Sequence, residues 1–190
     1  MADISHLGGL NPVEPLDMDQ YADNKEYSSL PKKGRYTVQA PDSFPSTCFN
    51  RSQSGALTAQ VDPKIVGPTN EGYTLRFTKV SAKTFKRNGV TVSQAGDYLR
   101  AVGIRGRLTD EAALADAIEQ TANQVYQIDG DWSAYDSKTR FKVEGEERFP
   151  SDGNGGHLPW YPHPTEKDEN GDPVRLRANF VVTRFIPASL

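Results

Sequence analysis

The chain has 190 residues, with 22 Lys and Arg against 25 Asp and Glu, for a net charge of −3 at neutral pH. Hydrophobic residues make up 36% and mean hydropathy is −0.65, which predicts a core of modest size and much irregular, exposed chain. A lone cysteine, Cys48, excludes an internal disulfide; no apolar run approaches the ~20 residues that span a bilayer, and no secretory leader pattern opens the chain, so a cytoplasmic protein is expected.

The small negative total hides a segregated charge pattern. Residues 76–107 hold eight Lys or Arg and one acid, Asp97, a net of +7, while the remainder carries −10. Such a segment is a directional field that steers anionic ligands, unless the fold intersperses its charges in space.

Residues 1–31 read as a flexible acidic tail, with six acids, one lysine and no sustained apolar period. A single domain is expected from 32 to 190. Its first strand is Tyr36–Gln39, ending before Pro41. A loop-rich stretch, Ala40–Gly55, carries Phe44, Phe49 and Arg51, and a second strand alternates through Leu57, Ala59 and Val61. After a turn at Gly67–Asn70, Tyr73, Leu75 and Phe77 alternate with Thr74, Arg76 and Thr78, the period of a half-buried third strand. The alternation slips beyond Phe77, where Lys79 takes the apolar parity, so a bulge or strand end is expected there. A further extended run carries Lys83, Phe85, Lys86 and Arg87 into Asn88-Gly89, a strong hairpin-turn dipeptide.

Two short helices follow. Ser93 caps the first, from about Gln94 to Val102, with Gly103 ending it; Thr109 caps the second, which runs to near Asn123. Val125–Ile128 is a fourth strand, closed by a turn at Asp129-Gly130. A long loop at about 131–172 then holds Trp132, Tyr135, a hairpin-like piece at Thr139–Glu144, a Gly-rich run, Trp160, Tyr161 and the tight turn Asn170-Gly171. Val174–Ile186 forms one long final strand.

The order predicts a mainly β fold with two short helices, a five-stranded OB-like Greek-key barrel with long loops and an extended N-terminal tail. OB-folds bind oligonucleotides on strands two and three and through the loops joining strands one to two and four to five, where the long loops fall here. The candidate nucleic-acid-binding set is therefore Arg76, Lys79, Lys83, Phe85, Lys86 and Arg87 on the central strands, Arg51 and Phe49 in the first loop, and Trp160 and Tyr161 in the last. Arg105 and Arg107 join it because Val102-Gly103-Ile104 echoes a helix-hairpin-helix. Each residue also has a plain structural reading: lysines blunt sheet edges, and tryptophans pack loops onto barrels, the reading favoured for Trp132.

No catalytic or metal constellation stands out. Asp168, Asn170 and Asp172 begin like a calcium loop, but Pro173 and Asn179 occupy the positions that need Gly and Glu. His157, His163 and Cys48 lack zinc spacing, and no phosphate loop or nucleophile elbow is present. Neither an enzyme nor a cofactor is expected.

Ser54-Gly55-Ala56-Leu57, Gly72-Tyr73-Thr74-Leu75-Arg76-Phe77, Gly96-Asp97-Tyr98-Leu99-Arg100-Ala101 and Arg177-Ala178-Asn179-Phe180-Val181-Val182 resemble runs in the single-stranded-DNA-binding proteins encoded by bacteriophages. The likeness covers about residues 33–186 and rests on segment order. It implies an OB-type protein that coats single-stranded DNA during phage replication or recombination, in the host cytoplasm. It also implies replication or recombination proteins as partners and leaves room for a homo-oligomer. Many such proteins end in an acidic tail, whereas this chain ends Arg184-Phe185-Ile186-Pro187-Ala188-Ser189-Leu190, so any recruiting tail here is the acidic N-terminus. The alternative is a structural or virion-assembly protein that uses the loops and tail for protein contacts.

Overall fold

The computed structural model describes residues 31–153 and 156–187; the acidic tail read at 1–31 lies, but for Pro31, outside them. Among the described residues, twelve strands and two α-helices follow in chain order. They are β1 (Gly34–Gln39), β2 (Phe49–Arg51), β3 (Leu57–Gln60), β4 (Lys64–Ile65), β5 (Lys79–Ser81), β6 (Phe85–Arg87), β7 (Val90–Val92), α1 (Gln94–Ala101), α2 (Glu111–Glu119), β8 (Val125–Tyr135), β9 (Lys142–Glu144), β10 (Trp160–Lys167), β11 (Pro173–Arg177) and β12 (Asn179–Ile186).

The fold is mainly β with two helices. All named strand pairs are antiparallel and fall into four sheets; no closed barrel forms among the described residues. The largest sheet runs β12-β8-β1-β4, with β9 joining the far end of β8. A three-stranded sheet β2-β3-β5 and two ribbons, β6–β7 and β10–β11, complete the set.

Asp129-Gly130 is not a turn. β8 continues through it for eleven residues, pairing with β1 on one side and β12 on the other. The Phe180 ring explains the glycine: a Cβ on Gly130 would sit 2.4 Å from Phe180 Cε1. Around that contact the Phe180 ring is met edge-on by Tyr36 at 5.4 Å, Trp132 at 5.5 Å and Tyr73 at 6.3 Å. Trp132 is buried as expected, and its Nε1–H donates to the Pro31 carbonyl at 2.7 Å.

The final strand is two strands, divided at Ala178, whose N–H donates to the Pro159 carbonyl. β11 therefore pairs with β10 and β12 with β8. Within β12 the register shifts at Thr183: Val182 opposes Gly130, but Arg184 opposes Asp129 and Phe185 opposes Ile128. A uniform ladder would aim Arg184 at the core face with Ile128. The extra residue turns it to the opposite face and sends Phe185 inward, 5.5 Å from the Tyr98 ring.

Other expectations shift by a few residues. Ser93 caps α1, its Oγ accepting from the Gly96 N–H. Asp110, not Thr109, caps α2: its Oδ1 accepts from the Ala113 N–H, a charge-assisted bond beside the helix dipole that a threonine cannot match. The presumed third strand, Tyr73–Thr78, is irregular. Leu75 is fully buried, but the chain turns at Arg76–Phe77, where Phe77 adopts φ 64°. The turn is held by Asp62 Oδ1, which accepts the Thr78 N–H, and by the Thr78 hydroxyl, which donates to the Leu75 carbonyl. The region from 131 to 172 likewise contains the end of β8, β9 and β10 rather than a continuous loop.

Replacing Gly130 by Ala should lower stability by about 1–3 kcal/mol, since the ring it would strike is fixed on three sides. Shortening Phe180 to Leu in the same chain should recover part of that loss, giving non-additive midpoints in urea denaturation.

Candidate nucleic-acid interface

β12 is the outermost strand of its sheet, and a cleft of about 1030 Å³ runs along it. One wall is the turn at Arg76–Thr78 with Lys79 of β5; another is the β6–β7 ribbon with the first turns of α1. The remaining side is the outer face at the end of β8 and β9, with Ser133, Tyr135, Lys142 and Glu144. The β12 backbone, with Val181, Val182 and Phe185, forms the floor.

Six cations line this cleft, Arg76, Lys79, Arg87, Arg100, Lys142 and Arg184, against the two acids Asp97 and Glu144. The acids are engaged within it: Arg87 pairs with Asp97 at 3.1 Å and Lys142 with Glu144 at 2.6 Å. Among the described residues, no acid lies within ion-pair distance of Arg76, Lys79, Arg100 or Arg184. Asp129, directly opposite Arg184 on β8, is held by Arg35 instead, at 2.9 Å. Four positive groups therefore face the cleft with unspent charge.

Three rings stand open at its margin: Phe77 is 67% exposed, Tyr135 55% and Phe85 42%. Phe85 lies beneath the Arg87 guanidinium, 5.3 Å from its centroid. The Asn88-Gly89 turn, both residues at positive φ, closes the ribbon that presents this pair.

The sequence-derived candidates divide by position. Arg76, Lys79, Phe85 and Arg87 line the cleft together. Lys86 alternates to the other face of its ribbon, and Lys83 lies in the exposed link before it. Arg51 makes a two-pronged bond to Glu111 at 3.1 and 2.6 Å, which holds the Glu111 carboxyl below its usual range. Phe49 packs half-buried against the core. Arg105 and Arg107 follow α1 outside the cleft; there the Gly103 and Ile104 N–H groups donate to the Arg100 and Leu99 carbonyls, so the helix end itself consumes the donors of the suspected phosphate turn. Trp160 and Tyr161 lie on β10, away from the cleft lining.

Reading the sequence missed Phe77, Arg100, Lys142 and Arg184. The slip in alternation after Phe77 was the available signal for the first. For Arg184 there was none, because the bulge that turns it outward leaves no mark in the pattern.

The ligand atoms of Asp136, His163 and Glu166 lie within 4.8 Å of one another. Hydrogen bonding argues against a metal there. His163 Nδ1 accepts the Glu166 N–H at 2.9 Å, which leaves the proton of the neutral ring on Nε2. That Nε2–H faces Thr139 Oγ1 at 3.1 Å, and the threonine hydroxyl donates onward to Asp136. Neither ring nitrogen keeps a lone pair for a cation, and the Thr139 bond holds the Asp136 carboxyl below its normal range.

Comparison of the chain with protein-family models, curated proteins and solved structures returns no match. Among the described residues no helix is long and apolar enough to cross a membrane.

Phe77 combines a left-handed backbone with an exposed ring. Phe77→Gly should cost little or no stability, because relief of about 1–2 kcal/mol of steric strain offsets the entropic penalty of about 0.5–1 kcal/mol that glycine carries. A fall in the thermal midpoint of the size expected for a buried phenylalanine would show that the ring is packed.

Proposed function

We propose that this chain is a non-enzymatic single-stranded-DNA-binding protein with an OB-like strand arrangement, of the kind bacteriophages use in replication or recombination. The observation that carries the reading is the cleft: cations from five separate elements and the preceding turn meet along one strand edge, with three open rings on the same track. Phosphates supply the negative partners that Arg76, Lys79, Arg100 and Arg184 lack. Unpaired bases supply flat faces for Phe77, Phe85 and Tyr135, contacts that contribute about 1–3 kcal/mol per base whatever its identity. A duplex keeps its bases stacked away from such rings, so the rings favour an unpaired strand.

The protein's overall negative charge opposes indiscriminate attachment to polyanions, whereas the cleft concentrates positive potential locally. The segment 76–107 supplies four of the six cleft cations, and β9 and β12 supply the others.

Titration of labelled oligo-dT at several salt concentrations tests the reading. With about four phosphates neutralised, log K should fall against log[salt] with a slope of about −2.8. Arg76→Ala with Arg184→Ala should flatten that slope to about −1.4, with the thermal midpoint unchanged. Phe77→Gly should weaken binding roughly tenfold without altering the slope, because stacking releases no counterions. Absence of binding at low salt, with concentration-driven oligomers, would replace this reading by an assembly role.

A further inference from the structure

We infer that the binding track does not end at the cleft but continues over the outer face of the β10–β11 ribbon, where Arg175, Arg177 and Trp160 form a second segment for the same single strand. This rests on the reading of the cleft as a single-strand site and extends it to a longer ligand.

The continuity is in the backbone. Asn179 lines the cleft at the start of β12, and Arg177, two residues earlier across Ala178, ends β11. The Asn179 side-chain amide donates to the Arg177 carbonyl at 3.3 Å, tying the two strand ends together. Tyr73 marks the same passage: burial pushes its hydroxyl pKa up, while Arg177 and Arg76 both pull it back, so one cation from the ribbon and one from the cleft stand close to a single side chain.

The outer face of the ribbon is built for the task. Along β11 the pattern alternates, with Leu176 buried and Arg175 and Arg177 exposed on the opposite side. Trp160 pairs directly with Arg177 across the ribbon, and Pro162 pairs with Arg175. The Arg175 guanidinium lies over the Trp160 indole, 4.6 Å from its centroid. A guanidinium seated over a ring still has N–H groups to offer a phosphate, and the ring beside it offers a face to a base. Among the described residues neither arginine is in an ion pair. Arginines on alternate strand positions recur about every 6.6 Å, a rail along which an extended polyanion can be followed.

The arrangement predicts a dependence on strand length. Single-strand sites of OB proteins span about 4–16 nucleotides, so oligo-dT of roughly 4 to 16 residues should distinguish a short site from an extended one. In wild type, affinity should rise stepwise once the strand outgrows the cleft. Arg175→Gln with Arg177→Gln should leave the shortest binding oligomer unaffected. It should lower affinity for the longest by about tenfold and reduce its salt slope by about 1.4. Trp160 fluorescence gives a readout independent of these substitutions. Of the two tryptophans, Trp132 is buried, so quenching by long but not short oligomers, lost in Trp160→Phe, should report the second segment. Equal affinities of the double variant and wild type for every length, with no length-dependent quenching, would overturn the extension and leave the cleft site standing. No binding at any length would remove both.

Discussion

The seating of the Phe180 ring on Gly130 is the contact on which the rest of the molecule depends. It lets β12 lie close against β8, and the surrounding edge-on rings of Tyr36, Tyr73 and Trp132 leave the phenylalanine one place to go. Trp132 in turn reaches the backbone at Pro31, and Tyr36 donates to the Lys32 carbonyl, so the same cluster holds the segment that leads into β1. From this anchor the ladder runs four pairs in one register, then shifts at Thr183. That shift places Phe185 among Tyr98 and Tyr126 and leaves Arg184 on the cleft side. One strand thus joins the core packing to the cleft, giving Phe185 to the first and Arg184 to the second.

Further along the same buried face of the sheet, burial is less forgiving of polarity. Tyr98 is fully buried, its hydroxyl 2.5 Å from the Thr121 hydroxyl, and burial raises its pKa to about 12. Thr121 passes the bond to the Ile118 carbonyl, so α1 and the end of α2 are joined through a satisfied polar chain inside an apolar setting. This fixes α1, which carries Asp97 and Arg100 to the cleft. The Asp97 carboxylate holds Arg87 across the gap between helix and ribbon, and a phosphate entering there would compete with it for the guanidinium.

Local signals in the sequence are legible where local forces decide. The Asn88-Gly89 hairpin needs two residues that accept positive φ, and Ser93 needs only the N–H three residues ahead. The basic segment 76–107 was visible as composition, and four of its cations do share a cleft. The failures have a common origin. Asp129-Gly130 has the composition of a turn, yet the glycine serves a ring fifty residues away. Phe77 has the parity of a core residue, yet Asp62 captures the Thr78 N–H and the chain turns before the strand can form. Val174 to Ile186 reads as one extended run, yet the Pro159 carbonyl takes the Ala178 N–H and divides it between two sheets.

By itself, then, the sequence determined the mainly β character, the two helices, the Ser93 cap of the first and the segregation of charge, because each follows from composition or from neighbours a few residues apart. Only the tertiary structure decided which cations face one another, which rings stay open and where the strands break. Those outcomes turn on contacts between segments distant in the chain, on a one-residue register shift, and on which acid claims which arginine; none of these leaves a periodic trace in the order of residues.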